Sequence, residues 1–226
     1  MGGVDRAPAA LENGDGAGWR TRDKVTMIRL DVASSTRHFE QILDLQRRYH
    51  SSALSPDAQD REGFVFAEHS VPLLRRMSAE LPQAIAVGDD DVVVGYCLAL
   101  SLSLRNELPS LAPMFDQFRR CAYHGRPLDS CRFFVGGQVC VDRAYRGRGL
   151  LARLYEQVRL SAPRTYELCV TEIAVRNQVS IRAHERMGFE TIATYSDGRE
   201  AWVIVAWDLT RPATASPSLD VEHGPA

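Results

Sequence analysis

The stretch CVDRAYRGRGLLARLY, residues 140–155, sets Gly147 and Gly149 between a strand-like apolar run and a helix-like one, with Arg143, Arg146, Arg148 and Arg153 around them. A strand that enters a helix through such a turn leaves the first backbone N–H groups of the helix unpaired at the positive end of its dipole. Glycine lets that backbone approach a bulky anion such as a pyrophosphate, and the arginines add local charge. The same residues would also serve as a plain tight turn with solvated arginines. No Lys-Ser or Lys-Thr follows the glycines, which sets aside a P-loop. Ala152 stands where a dinucleotide fingerprint has its third glycine, and the turn follows a long antiparallel-looking region rather than the first strand of a βαβ array, which argues against that fold too.

A second group lies in TEIAVRNQVSIRAHERMGF, residues 171–189. On a helix starting at Asn177, the spacing brings Asn177, Ser180 and His184 to one face and Val179, Ala183 and Met187 to another. An ordinary amphipathic helix with a capping Asn and a surface His has the same pattern. Just before the first group, Gly136, Gly137 and Gln138 repeat the GGQ tripeptide of peptide-release factors. They sit in a strand rather than on a basic loop, so a β-bulge explains them better.

The elements that must carry these residues follow from periodicity. Residues 24–30 read as a strand, and residues 35–50 as a helix capped by Ser35 with Phe39, Ile42, Leu43, Gln46 and Tyr49 near one face. Ser70 caps a second helix with Pro72 in its first turn. Two apolar runs joined by GDDD at residues 88–91 make a hairpin. Pro109 and Pro113 mark an irregular stretch with room for a short helix. The long strand with Gly136 and Gly137 follows, then a helix to about Ser161, a strand over 165–175, a helix over 177–187 and two closing strands. The order predicts an α/β (α+β) single domain over residues 23–210, with a mixed central sheet of about six to seven strands flanked by about four helices. Residues 1–22 and 211–226 are rich in Gly, Ala, Pro and Ser and are expected to be flexible tails.

Composition narrows the function classes. The chain has 226 residues and a formal net charge of −2, which argues against a general nucleic-acid or anionic-membrane binder. The five cysteines show no CxxC spacing and read as reduced, buried residues with no metal site. No apolar run approaches the roughly 20 residues that span a bilayer, and the first residues lack a secretory core, so a cytoplasmic protein is expected.

In order and spacing, residues 139–158 and 170–192 resemble the GNAT superfamily of acyl-CoA-dependent N-acetyltransferases. Its motif is a strand, then Gln or Arg, two residues, Gly, one residue and Gly or Ala opening a helix, then a strand, an Asn and a helix ending in Gly-Phe. Gly188-Phe189 supplies that ending. Read from Arg146 the motif's last small residue is Leu151; read from Ala144 the glycines fit and the leading Gln or Arg is missing. The resemblance implies acetyl-CoA as co-substrate, with its pantetheine arm along Val139, Cys140 and Val141. It implies a pyrophosphate at Arg146, Gly147, Arg148, Gly149, Leu150 and Leu151, and cofactor contacts from Asn177 with Ser180 one turn on. His184 occupies the position of the family's proton-donating tyrosine. Imidazole can protonate a departing thiolate, since a pKa of about 6.5 lies near the thiol's value of about 8.5. A structural histidine would fit the position as well. Glu172, on the strand expected to flank the cofactor, is the candidate general base, with pairing to Arg176 as its structural alternative.

The expected reaction is transfer of the acetyl group to a primary amine by direct attack in a ternary complex. The same fold could instead serve as a non-catalytic acyl-CoA-binding regulatory module, or as an interaction domain without cofactor. Glu62, Glu68, His69, Asp116, Tyr123, His124 and Tyr195 are the polar and aromatic candidates for an acceptor pocket. Their acidic members suit a cationic amine, a small-molecule amine rather than a protein amine, handled by a monomer or homodimer with no nucleic-acid or membrane partner.

Overall fold

The structure, a computed structural model, describes residues 27–211. The two expected tails lie outside these residues apart from Arg211. The chain runs through β1 (Arg29–Val32), α1 (Thr36–Tyr49), α2 (Pro56–Glu62), α3 (Val71–Glu80), β2 (Ala84–Val87), β3 (Val93–Leu100) and α4 (Ala112–Phe118). It continues through the short ribbon β4 (Ala122–Tyr123) and β5 (Arg126–Pro127), then β6 (Phe133–Val141), α5 (Leu150–Ser161), β7 (Leu168–Ala174), α6 (Gln178–Arg186), β8 (Glu190–Ser196) and β9 (Ala201–Asp208). Seven strands form one mixed sheet in the order β1-β2-β3-β6-β7-β9-β8, in which β6 and β7 are the parallel pair. This is the expected α/β architecture.

Each face of the sheet carries its own core, and β3 shows how the sequence assigns them. Tyr96, Leu98 and Leu100 point into the core under α1, α3 and α4, while Cys97 and Ala99 point into the core under α5. With Ala84 and Ala86 of β2 they make a small-residue floor that lets α5 sit close. A Cβ at Gly95 would already meet Leu154 Cδ1 at 3.3 Å. The caps at Ser35 and Ser70 are as expected, their hydroxyls accepting from His38 N–H and Leu73 N–H. In α1 the buried set is Phe39, Ile42, Leu45, Gln46 and Tyr49; Leu45 is buried and the expected Leu43 lies only against the core edge. Two pieces were not anticipated: α2, begun by Ser55 and Pro56 and ended by Gly63 at φ 71°, and the β4–β5 ribbon.

The expected bulge falls in β6. Register against β3 slips between Leu98 and Ala99, so that Gln138 and Gly136 oppose adjacent residues and Gly137 is extra. The alternation of faces reverses across it. Phe133 and Val135 share a core with Cys140, whereas Phe134 shares the other with Val141, because one added residue flips every later side chain. Beyond Val135 and Val170, β6 and β7 no longer pair. The Thr171 hydroxyl donates to the Gly136 carbonyl at 2.7 Å just where they part.

At this fork a Cβ on Gly136 would meet Cys169 Sγ at 3.2 Å, Thr171 Cβ at 3.3 Å and the Tyr155 hydroxyl at 3.3 Å, while one on Gly137 would meet nothing closer than 3.6 Å. Gly136→Ala is therefore expected to cost about 1–3 kcal/mol and Gly137→Ala less than about 1 kcal/mol, as read from urea unfolding midpoints at unchanged m-value.

Candidate active site

The unpaired edges of β6 and β7 face each other across a gap that holds two cavities. One, of about 310 Å³, runs from Val139–Val141 of β6 to the first turn of α5 and is closed by Val179, Ala183 and Met187 from α6. The other, of about 240 Å³, lies between Gly136–Gln138, Glu172 of β7, Tyr195 of β8 and the segment Phe64–Ala67. Val139, Asn177, Ser180 and His184 line both.

At the head of the larger cavity, Gly147 and Gly149 both adopt left-handed backbone, at φ 75° and 67°. A Cβ at either would meet nothing within 4 Å, so the constraint is conformational and the space in front of the turn is open. Gly149 caps α5 without a side-chain bond. The first bond into the helix runs from Arg153 N–H to the Gly149 carbonyl. The N–H groups of Leu150, Leu151 and Ala152 thus point out of the helix end beside the cavity their residues line.

The four arginines around the turn, expected to add local charge, divide between bonded and exposed ones. Arg146 donates from Nε to the Val141 carbonyl at 2.9 Å and from Nη1 to the Glu62 carbonyl at 2.8 Å. Its guanidinium also stacks on Tyr49 at 4.8 Å. Arg143 pairs with the Glu62 carboxylate at 3.1 Å. Arg148 and Arg153 are exposed. The first two therefore brace the turn against α1 and α2, and Arg146 and Arg186 line the larger cavity together with the helix end.

Asn177 is buried and doubly used. Its Oδ1 accepts from Ser180 N–H at 3.3 Å, capping α6, and its Nδ2 donates to the Phe64 carbonyl at 3.1 Å. It thereby fixes the segment that walls both cavities. Gln138 does the same from β6, donating to the Ala67 carbonyl at 2.8 Å while its Oε1 accepts from the Tyr96 hydroxyl at 2.5 Å.

The residues assembled here match a known family. The acetyltransferase (GNAT) family profile matches residues 39–189. The chain belongs to this family. Among curated proteins none matches it. Solved structures share the acetyltransferase fold at low identity. The NatC complex bound to Gag peptide and CoA is 17% identical, with 80% of this chain and 98% of that chain covered and a TM-score of 0.53. Arabidopsis thaliana NAA60 in complex with acetyl-CoA is 14% identical, covering 80% and 99% at a TM-score of 0.53. The ribosomal-protein-S18-alanine N-acetyltransferase from Escherichia coli is 14% identical, covering 85% and 99% at 0.51.

Within this acetyltransferase, His184 lines both cavities and Glu172 the smaller one, each with its protonation altered by burial. Desolvation raises the Glu172 carboxyl to about 7, against a hydrogen bond from the Tyr195 hydroxyl at 2.5 Å that favours the anion. Glu172 makes no pair with Arg176, which is held instead by Glu200 at 2.7 Å and Gln59 at 2.5 Å. His184 is 2% exposed, and desolvation lowers it to about 4. Its Nδ1–H donates to the Ser180 carbonyl at 2.8 Å, which leaves Nε2 to accept from the Tyr155 hydroxyl at 2.9 Å. Unlike an imidazole of ordinary pKa, His184 is held neutral by burial, and the proton beside Nε2 belongs to Tyr155. Tyr155 gave no sequence signal beyond its place on the buried face of α5.

Of the expected acceptor residues, Tyr195 lines the smaller cavity and Glu62 the larger. Glu68 and Asp116 are exposed, Tyr123 and His124 bind Glu190 on the outer strand, and His69 binds Gln46. Phe64, Phe66 and Trp202 join the acceptor side instead. The five cysteines are free and buried, and among the described residues no group of three or more His, Cys, Asp or Glu could hold a metal ion. No described helix is long and apolar enough to cross a membrane.

Burial of Glu172 makes a prediction about stability. Between its ordinary pKa of 4.5 and about 7 the folded chain holds a proton that the unfolded chain has lost, so stability falls as pH rises through that window. Glu172→Gln removes the charged state. The variant should gain on the order of 2–3 kcal/mol relative to the wild type on going from pH 4 to pH 8, measured by urea unfolding at both pH values.

Proposed function

We propose that this acetyltransferase moves the acetyl group of acetyl-CoA onto the primary amine of a small molecule by direct attack in a ternary complex. The observation that carries the reading is the meeting of two cavities along Val139, Asn177 and His184, one headed by a free helix N-terminus and the other holding a buried carboxyl. The fit to the cofactor rests on this chain's own geometry. Open space faces both glycines of the turn, and free N–H groups there suit a pyrophosphate. A mostly apolar slot follows, beside an unpaired strand edge at Val139, Cys140 and Val141. When bound, acetyl-CoA supplies the activated thioester.

The residues then divide the work. Leu150, Leu151 and Ala152 hold the anion through backbone N–H groups, with Gly147 and Gly149 leaving the approach clear. An alkylammonium must lose a proton before its nitrogen can attack, and the Glu172 carboxylate, poised to form near neutral pH, accepts it while the Tyr195 hydroxyl holds Oε2. The acid role expected of His184 passes to the Tyr155 hydroxyl, which lines the smaller cavity and would leave its bond to His184 Nε2 to protonate the departing thiolate, becoming a phenolate that solvent reprotonates. Five buried free cysteines suit a reducing compartment and hence a cytoplasmic enzyme.

Two measurements test this reading. Acetyl-CoA at about one hundred times its Kd should stabilise the protein by roughly 2.7 kcal/mol, seen as a rise in Tm, and Gly149→Val should lose most of that rise through strain at φ 67° and obstruction of the helix end. An unchanged Tm in folded wild type rejects the cofactor assignment. With an accepted amine, the rate should climb as pH passes about 7, where Glu172 ionises. Glu172→Gln should lower kcat by about 10²–10⁴-fold while keeping the acetyl-CoA shift. Thiol release unaffected by the substitution removes Glu172 as the base, and cofactor binding without thiol release from any amine identifies a binding module.

A further inference from the structure

We infer that the acceptor is a compact monoamine with an aromatic-sized apolar body, seated beneath a bridge of Phe66 and Trp202, rather than an amine of a polypeptide; this rests on the acetyl-transfer reading above. The segment carrying Phe66 is pinned on both sides. Val65 exchanges backbone bonds with Tyr49 and Ser51, the Phe64 carbonyl accepts from Asn177, and the Ala67 carbonyl accepts from Gln138. From this fixed position the Phe66 ring reaches across the gap to Trp202 of β9, with centroids 5.2 Å apart at 61°, and it packs edge-on against Phe64 at 5.4 Å. Arg176 lies over both phenylalanines, at 4.2 Å and 5.7 Å, and is itself anchored by Glu200 and Gln59. The acceptor cavity is therefore spanned by a braced aromatic contact, which an extended peptide would have to displace.

Charge in the cavity points the same way. Its carboxylates are Glu172, Asp197 and Glu200. The Glu200 group is engaged by Arg176. Asp197 sits on the exposed hairpin turn and accepts the N–H groups of Arg199 and Glu200. Glu172, half-buried and bonded by the Tyr195 hydroxyl, is left as the inner carboxyl without a cation to pair with, and an ammonium beside it favours its ionised form. Leu111, Met114, Ile173 and the aromatic rings supply much of the remaining wall. Deeper than Asp197 at the exposed rim, a second cation on the substrate would lose its water without a partner. The volume of about 240 Å³ is below the usual range for drug-sized ligands of about 300–1,000 Å³. Phe66 is 40% exposed, and an apolar substrate body would cover it.

The test compares 2-phenylethylamine, 1,4-diaminobutane and a short peptide carrying both a free N-terminus and a lysine. Each is assayed for thiol release with acetyl-CoA, and for an added Tm rise when the protein is saturated with CoA. The phenylethylamine should show kcat/KM at least about tenfold above either comparator and should alone raise Tm in the CoA complex. Trp202→Ala should raise its KM by about tenfold or more and leave the acetyl-CoA shift intact. Phe66→Ala, at a partly exposed ring, provides the same readout should Trp202→Ala fail to fold. Acetylation of the peptide or the diamine at comparable kcat/KM overturns the inference, as does a phenylethylamine that is neither bound nor acetylated. A phenylethylamine that binds the CoA complex but is never acetylated supports this inference and overturns the acetyl-transfer reading.

Discussion

Everything functional in this fold depends on one backbone event, the separation of β6 from β7 after Val135 and Val170. Parallel neighbours in a sheet normally continue to pair, since an unpaired buried edge leaves N–H and C=O groups without partners. Here the extra residue at Gly137 breaks the rhythm of β6 against β3, and the Thr171 hydroxyl takes over the Gly136 carbonyl at the point of parting. The fork cannot close behind that bond, because Cys169, Thr171 and the Tyr155 hydroxyl already crowd Gly136. The opened edges become the walls of two cavities, and Gln138 and Asn177 hold the covering segment to the two arms of the fork.

The placement of charge follows from the same economy. With a formal net charge of −2, the protein has no general positive field to attract an anion, and the arginines of the glycine turn do not make one at the cavity. Arg143 and Arg146 are consumed by Glu62, Val141 and Tyr49. The end of α5 adds a dipole and free N–H groups that act within a turn's length, beside the Arg146 and Arg186 that line the same cavity. Such a site is insensitive to which side chains surround the glycines, provided the two left-handed residues are kept. That explains why the loop motif tolerates Leu151 where the family pattern has a small residue.

The fold was legible because its cues are local. Ser35 and Ser70 mark helix starts, and Gly136-Gly137 interrupts an otherwise regular strand in a way only a bulge explains. The α2 helix carried equally good local signals, Ser55-Pro56 at its start and Gly63 at its end, but its seven residues contain too few apolar positions to show a period. The cofactor side of the site was legible for the same reason as the fold, since backbone N–H groups come with the glycine turn. The acceptor side was not. Phe66, Trp202 and Tyr155 are unremarkable aromatics in the sequence, and only the tertiary packing of β9, α5 and the segment after α2 brings them together. Tyr123 and His124 had the right chemistry, and the packing sends them to Glu190 on the outer strand.

Burial also explains why the site is electrically quiet before loading. Desolvation acts on Glu172 and His184 in opposite directions of pKa and in each case against the charged form, leaving the imidazole neutral and the carboxyl part-ionised near pH 7. A carboxyl near 7 is only part-ionised in the empty cavity, and an ammonium beside it favours the carboxylate, the form that can take the ammonium's proton. An imidazole near 4 cannot carry a competing positive charge beside that ammonium. It can fix the Tyr155 hydroxyl at Nε2 because its other nitrogen is committed to the Ser180 carbonyl. The opposed shifts thus keep fixed charge in the fork low until an ammonium arrives, while hydrogen bonds to the Ser180 carbonyl and from the Tyr155 hydroxyl define where the protons sit.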